Sequence, residues 1–262
     1  MTLYRREIDE AILFANRVYI KYKDFIKNTL QFKSDAFVVN IIHQEGINID
    51  YYPFSNDMCG MFIDDEFEKT IVFNINQSRQ SPERRNFTLG HELGHYFMHR
   101  DKQSQFTDRT KDLMDNSIKP FEIQANVFAS YILLPTNILE TMLMSKYSFF
   151  RIQKLIKISY KALFWRFVNH LIENIENYNL TQEEAILITE EYRQYSIKKL
   201  KNEAHHLNAQ LFKLTYFNKE QIIDKLKNEN IDISYAYNED EKAPKTKHII
   251  ENIENIKSQL GL

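Results

Sequence analysis

The segment His91-Glu92-Leu93-Gly94-His95 contains side chains that together could perform hydrolysis. On a helix, residues four apart project from the same face about one turn apart, so the two histidine rings could bind one metal ion. Glu92 would point roughly 100° round that helix, where its carboxylate could accept a proton from an activated water. This layout is typical of the active-site helix of zinc-dependent peptidases.

The flanking residues predict the helix that this layout requires. Ser81-Pro82-Glu83 is typical of a helix start, with a capping hydroxyl, a proline in the first turn and an early acid. We expect a helix over about Pro82–His99. Gly90 and Gly94 lie inside it, although the chain has only five glycines, and each destabilises a helix interior by roughly 1 kcal/mol relative to alanine. These glycines predict that another backbone packs closely against the helix.

A catalytic zinc site needs a third protein ligand and an open position for water. His99 shares a face with His91 and His95, but eight helical residues rise about 12 Å, whereas zinc–nitrogen bonds measure about 2.1 Å. In a straight helix His99 therefore cannot join the other two. It could instead be a packing residue, a partner that supports a ligand, or a proton donor at the edge of the site.

Glu122 is the better candidate for the third ligand. Pro120 starts a helix that Leu134-Pro135 ends, and apolar residues recur through it at helical spacing. Asn126 lies one turn after Glu122, and its amide oxygen could accept the second N–H of a metal-binding imidazole. The alternative is an ordinary solvated glutamate, which the surrounding pattern disfavours.

These segments together resemble the ImmA/IrrE family of metallopeptidases, over about residues 35 to 170. The matching segments are Arg85–His99, Glu122–Ala129, Leu133–Pro135, Gly46–Ile49, Cys59–Ile63, Thr70–Asn76 and Ile158–Leu163. The resemblance implies one Zn²⁺ ion bound by His91, His95 and Glu122, with Glu92 as the general base. It also implies a zincin-like α+β fold, mostly helical, in which a small sheet packs on the motif helix.

The resemblance further implies an intracellular endopeptidase that cleaves a helix-turn-helix repressor or an antitoxin-like regulator. Such cleavage would relieve repression of a mobile element or a stress programme. Zinc peptidases generally add a second electrophile beside the developing oxyanion. The sequence does not choose among the conceivable ones, which are Tyr96, His99, Arg100, Tyr131 and Tyr160.

The residues before the motif predict a β-hairpin, from about Phe62 to Ile75, with the acidic turn Asp64-Asp65-Glu66. An edge strand could hold an extended substrate through backbone hydrogen bonds. An internal strand without substrate contact is an equally good interpretation. The other elements that we expect in the first half are helices over about Ile8–Ile26 and Ser34–Ile42, the second ended by Gly46, and strands over Ile47–Tyr52, Met58–Ile63 and Thr70–Asn74.

Composition limits the class of protein. A hydrophobic content of 43% and a net charge of −2 exclude a disordered chain and a strongly basic nucleic-acid surface. Cys59 is the single cysteine, which suits a reducing compartment. The amino terminus lacks the apolar core of a signal peptide, and no apolar run approaches the roughly 18 residues of a membrane span. We expect a cytoplasmic protein.

Two parts are expected, a zinc metallopeptidase domain over residues 1–176 and a helical C-terminal region of unknown role over residues 177–262. In the second part, Thr181-Gln-Glu-Glu184 is a capping box that opens a helix. Asn218 is expected to cap a further helix, 231–237 to form a short strand or a loop, 238–247 a loop, and the remainder a last helix.

A competing hypothesis is a regulatory module that binds DNA or protein and has a zinc site without turnover. Phe149–Leu171 could be a helix-turn-helix, with Ser159 capping a recognition helix. The candidate DNA contacts in it would be Lys161, Arg166, Asn169 and His170. Apolar residues cover much of that helix, which favours burial over base reading, so no nucleic-acid partner is expected.

Overall fold

The computed structural model of the protein describes residues 5–54, 58–65, 67–78, 81–101, 105–109, 119–145, 147–173 and 181–198. Helices predominate in these ranges. They are α1 Arg5–Tyr22, α2 Ser34–Gln44, α3 Ile75–Ser78, α4 Pro82–His99, α5 Lys119–Leu133, α6 Thr136–Met144, α7 Phe149–Ile156, α8 Tyr160–Glu173 and α9 Gln182–Lys198. Short 3₁₀ turns at Lys23–Phe25 and Thr29–Gln31 join α1 to α2.

The described strands form one mixed sheet in the order β1-β3-β2-β4. They are β1 Ile47–Tyr52, β2 Met58–Asp64, β3 Lys69–Asn74 and β4 Gln105–Arg109. Strand β3 pairs with β1 in parallel and with β2 antiparallel, and β2 pairs antiparallel with β4. The fully buried Ile71 lies opposite Ile49 on one side and the fully buried Phe62 on the other. The α+β, zincin-like class expected from the sequence is confirmed.

The predicted hairpin forms, but both of its strands are internal. Strand β2 lies between β3 and β4, and β3 lies between β1 and β2. The turn of the hairpin is held by the Asp65 carboxylate, which accepts hydrogen bonds from the backbone N–H groups of Phe67 and Glu68, both at 2.9 Å. Of the two interpretations, the one without an edge strand therefore describes this hairpin. Strand β4 was not expected, because its pairing with β2 joins residues more than 40 positions apart.

Local signals account for most helix ends. Ser81 caps α4, its hydroxyl accepting from the backbone N–H of Arg84, and Pro82 occupies the first turn as predicted. Gly46 has φ +66°, a left-handed conformation that glycine adopts without strain, and it follows the end of α2.

The chain forms two compact units. The first comprises Met1–Met142 with Ile152–Arg166, and the second Leu143–Arg151 with Phe167–Leu262. The first contains the sheet and helices α1 to α5. In the described part of the second, the rings of Phe149, Phe167 and Tyr192 pack together with centroids 5.0 to 6.0 Å apart.

The predicted capping box at the start of α9 is confirmed. The backbone N–H of Thr181 donates to Glu184, and the backbone N–H of Glu184 donates to the Thr181 hydroxyl. The expected boundary after residue 176 and every element expected from residue 199 onward lie outside the described residues, and they stay predictions. None of the described helices combines the length and apolar character that crossing a membrane requires.

Candidate metal centre

Helix α4 places His91 and His95 side by side. Their Nε2 atoms lie 3.0 Å apart, and their ring centroids are 4.7 Å apart. Both side chains are buried. The four-residue spacing therefore produces the convergence that the sequence predicted, with one nitrogen of each ring directed to the same point.

The glycines of α4 allow helix α5 to approach closely. A Cβ added to Gly94 would lie 3.0 Å from Ala125 Cα, and one added to Gly90 would lie 3.2 Å from Ala129 Cα. Alanines thus face glycines at two successive turns of this interface. The predicted close backbone approach is confirmed, and it sets the distance from which α5 presents Glu122.

Glu122 reaches both imidazoles from α5. Its Oε2 lies 3.3 Å from His91 Nε2, and its Oε1 lies 3.4 Å from His95 Nε2. Burial by itself raises the pKa of the Glu122 carboxyl, but the two neighbouring imidazoles of His91 and His95, which are positively charged when protonated, outweigh that effect and hold the pKa well below its usual range. The structure thus brings together the three residues that the sequence proposed as ligands.

These donor atoms fit a divalent cation of zinc's size. Within the part of the chain that the structure describes, His91, His95 and Glu122 are the group that could hold a metal ion. One ligand atom of each residue lies within 4.8 Å of the other two. The two histidine nitrogens are 3.0 Å apart, close to the edge of about 3.3 Å that a tetrahedron with ligand distances of about 2.0 Å requires. Two imidazoles and one carboxylate suit zinc better than magnesium or calcium, which prefer oxygen ligands.

Asn126 fixes the orientation of His91. Its Oδ1 lies 3.0 Å from His91 Nδ1, and an amide oxygen only accepts, so Nδ1 carries the proton and Nε2 keeps its lone pair. The sequence predicted that Asn126 would accept from one of the imidazoles. The structure identifies that imidazole as His91.

His99 lies behind His95 and not beside it. Its Nδ1 is 3.0 Å from His95 Nδ1, and its Nε2 is 2.9 Å from Gln124 Oε1. Of the three roles that the sequence left open for His99, supporting a ligand fits this geometry. Sequence reasoning missed Gln124, because nothing in the spacing of a helical glutamine indicates that it faces a buried histidine.

Glu92 is fully buried on α4, beneath strand β2. A Cβ added to Gly60 in that strand would lie 3.1 Å from Glu92 Oε1 and 2.6 Å from Thr88 Cγ2. Only glycine at position 60 lets the strand cross the helix so closely. Sequence reasoning did not single out Gly60, although a glycine within a strand signals a close approach.

Two of the candidates for a second electrophile, Tyr96 and Tyr131, contact other side chains of the protein. The Tyr96 hydroxyl donates to Glu45 at 2.7 Å, and the Tyr131 ring lies under the guanidinium of Arg166, 3.6 Å from its centroid. These contacts give Tyr96 and Tyr131 structural functions. No candidate is assigned.

Two of the four candidate DNA contacts in the predicted helix-turn-helix are buried. Ser159 does cap α8, its hydroxyl accepting from the backbone N–H of Ala162. However, Arg166 and His170 are 0% and 2% exposed. Arg166 donates to the backbone oxygen of Leu134 at 2.9 Å, so its side chain forms hydrogen bonds inside the protein core. Two of the four proposed DNA contacts are therefore unavailable.

Comparison with known proteins agrees with the geometry. The family model described as IrrE N-terminal-like domain, Peptidase M78, matches residues 39–167, a range that includes α4 and α5. A relative from Bacillus phage phi105, named uncharacterized immunity region protein 2, is 33% identical over 91 residues, or 34% of this chain and 54% of the relative. The chain thus spans about half the length of that relative. Residues 39–167 are therefore similar to the IrrE N-terminal-like domain of the Peptidase M78 family.

Proposed function

We propose that this protein is a zinc-dependent endopeptidase in which His91, His95 and Glu122 bind one Zn²⁺ ion and Glu92 is the general base. The observation that supports this best is the convergence of three buried side chains from two helices, whose nitrogen and oxygen atoms lie 3.0 to 3.4 Å apart. Three protein ligands leave a fourth position open, as catalytic zinc sites do, whereas structural sites use four. Similarity to a peptidase family supports the same reaction class.

Zinc bound there supplies Lewis acidity, which polarises a peptide carbonyl and makes water more acidic. The Glu92 carboxylate accepts a proton from the attacking water and later delivers it to the nitrogen of the leaving amine. Asn126 holds the His91 ring so that Nε2 stays unprotonated. Gly60 lets the strand pass above Glu92 without a side chain against the carboxylate, which leaves that oxygen room to act.

We propose a transcription regulator as the substrate, a helix-turn-helix repressor or an antitoxin-like protein. The phage relative carries a name that refers to an immunity region, which fits the regulator substrate that the family resemblance implies. Cleavage of the regulator would release the programme that it represses. A cytoplasmic location is part of this proposal, because the regulator acts on DNA.

The test uses the purified full chain and candidate helix-turn-helix regulators. Glu92→Gln should keep its zinc and lose cleavage by about 10²- to 10⁴-fold, because the amide cannot accept the proton. Glu83→Gln is the matched control, the same chemical change in the first turn of α4, and it should cleave like the wild type. Equal cleavage by Glu92→Gln would contradict the role proposed for Glu92. Sequence-specific duplex binding without any cleavage would contradict the peptidase and favour a regulatory binding module.

A further inference from the structure

A continuous series of hydrogen bonds joins helix α1 to His95. Gln124 Nε2 donates to Glu10 Oε2 at 2.9 Å. The other end of the same amide, Gln124 Oε1, lies 2.9 Å from His99 Nε2, and His99 Nδ1 lies 3.0 Å from His95 Nδ1. Gln124 and both histidines are buried, whereas the Glu10 side chain is 43% exposed. The series therefore begins at the protein surface and ends at a candidate metal ligand.

Donors and acceptors along this series can point in only one direction. An ionised carboxylate has no proton to donate, so the Gln124 amide must turn its NH₂ group toward Glu10 and its oxygen toward His99. His99 then donates from Nε2, which leaves Nδ1 of the neutral ring as an acceptor. His95 must in turn donate from Nδ1, and its Nε2 keeps the lone pair that a metal ion needs.

We infer that Gln124 and Glu10 are positioning residues that hold His95 in the tautomer required for metal binding, an inference that rests on the proposed function. Arg6 Nε donates to Glu10 Oε1 at 3.0 Å, which leaves Oε2 for Gln124. The two imidazoles are thus oriented independently. Asn126 orients His91 from within α5, whereas the orientation of His95 depends on the amino-terminal helix.

Reversing the polarity at position 10 is the sharpest test. In Glu10→Lys the side chain is a donor, so the Gln124 amide should rotate and present its NH₂ group to His99. The proton of His99 then moves to Nδ1, and that of His95 moves to Nε2, where it blocks metal binding. Glu10→Gln keeps an acceptor oxygen at this position and should restore the wild-type behaviour.

Two further variants separate this effect from charge and packing. Asp9→Lys makes the same charge change on α1 and also breaks an i,i+4 ion pair, that between Asp9 and Arg5 at 2.9 Å, but it lies outside the series. Gln124→Met keeps a side chain of similar shape and removes both of its hydrogen bonds. Gln124→Met also decides the question if Glu10→Lys fails to fold.

The readout is the ¹⁵N spectrum of the imidazole rings in the metal-free protein at about pH 9, where an ordinary imidazole is neutral, and it distinguishes Nδ1–H from Nε2–H. His95 should carry its proton on Nδ1 in the wild type, Glu10→Gln and Asp9→Lys, and on Nε2 in Glu10→Lys. In Gln124→Met both forms should be populated. The His91 signal should stay in the Nδ1–H form throughout, because Asn126 holds it. Affinity for Co²⁺ should fall about 10-fold or more in Glu10→Lys and Gln124→Met, as expected when an outer partner of a ligand is lost.

An unchanged His95 tautomer in Glu10→Lys and Gln124→Met would overturn the inference, even if the enzyme cleaves its substrate. The predicted tautomers in a wild-type protein that binds Co²⁺ but cleaves no regulator would support the inference and contradict the proposed peptidase. The two proposals can therefore fail separately.

Discussion

In the first unit, the carboxylates of Glu122 and Glu45 both contact side chains of helix α4, and their surroundings differ. Glu45 accepts from Lys21 Nζ at 2.6 Å, from the Tyr22 hydroxyl and from the Tyr96 hydroxyl at 2.7 Å. Burial raises the pKa of the Glu45 carboxyl, but these three donors outweigh it and lower the pKa to about 2. Glu122 instead lies against two imidazole Nε2 atoms.

Both carboxylates have a lowered pKa, although burial by itself raises it. They differ in the side chains that contact them. An ammonium group and two hydroxyls satisfy Glu45, so it serves as a brace that joins α1 and α4. Glu122 faces nitrogen atoms that the acceptor Asn126 and the series through His99 leave unprotonated, and a cation completes such a group. Perturbed pKa values occur in both structural and functional clusters. The groups that surround a carboxylate indicate to which kind of cluster it belongs.

The largest expected difference between the two is in metal binding. Glu122→Gln should lower the affinity for Co²⁺ more than about 100-fold, because losing a ligand costs more than losing an outer partner. Glu45→Gln should leave the Co²⁺ affinity nearly unchanged. Titration of both variants, followed by Co²⁺ absorption, measures this. Similar losses of Co²⁺ affinity in the two variants would contradict the distinction between Glu122 as a metal ligand and Glu45 as a structural brace.

The next effect concerns the packing that positions Glu122. In Gly94→Ala the new methyl group would lie 3.0 Å from Ala125 Cα, so α5 must move and Glu122 with it. We expect a loss of about 1 to 3 kcal/mol in unfolding free energy, the usual range for overpacking, together with weaker Co²⁺ binding. Urea unfolding and Co²⁺ titration measure the two effects.

Gly46→Ala is the control for that variant. Gly46 has φ +66° with nothing within 4 Å of an added Cβ, so alanine there strains the backbone by about 1 kcal/mol without moving α5. Its Co²⁺ affinity should equal that of the wild type. If Gly94→Ala also binds Co²⁺ normally, the close helix contact does not position the site.

The smallest effect is the pH dependence of the Glu45 brace. Because the folded-state pKa of Glu45 is lowered to about 2 from its usual value of 4.5, the stabilisation by this carboxylate is present above about pH 4.5 and is lost as the pH falls toward 2. The unfolding free energy of the metal-free wild type should exceed that of Glu45→Gln by about 1 to 2 kcal/mol near pH 7, allowing for the exposure of Lys21. Denaturant unfolding from pH 7 to pH 3 should show the difference shrinking. A constant difference would mean that the brace is not ionic.

Much of the site was predictable because its determinants are local. Helix geometry brings His91 and His95 to the same face, and the Ser81 cap fixes where α4 begins. Gly90 and Gly94 predicted that another backbone packs closely against α4. Glu122 and Asn126 could be chosen for their spacing on a second helix. For the competing hypothesis that Phe149–Leu171 reads DNA, the sequence pattern gave only a preference for burial, and the burial of Arg166 agrees with that preference.

By itself the sequence determined the helices, the hairpin and the residue types that can bind a metal, since caps, turns and periodicity act over a few residues. The tertiary structure alone decided that strand β4 makes the hairpin internal and that Gly60 lies against Glu92. It also decided which carboxylate meets imidazoles and which meets a lysine, and that Glu10 supports His95 through Gln124. These are contacts between distant segments, and their geometry exists only when the helices have packed.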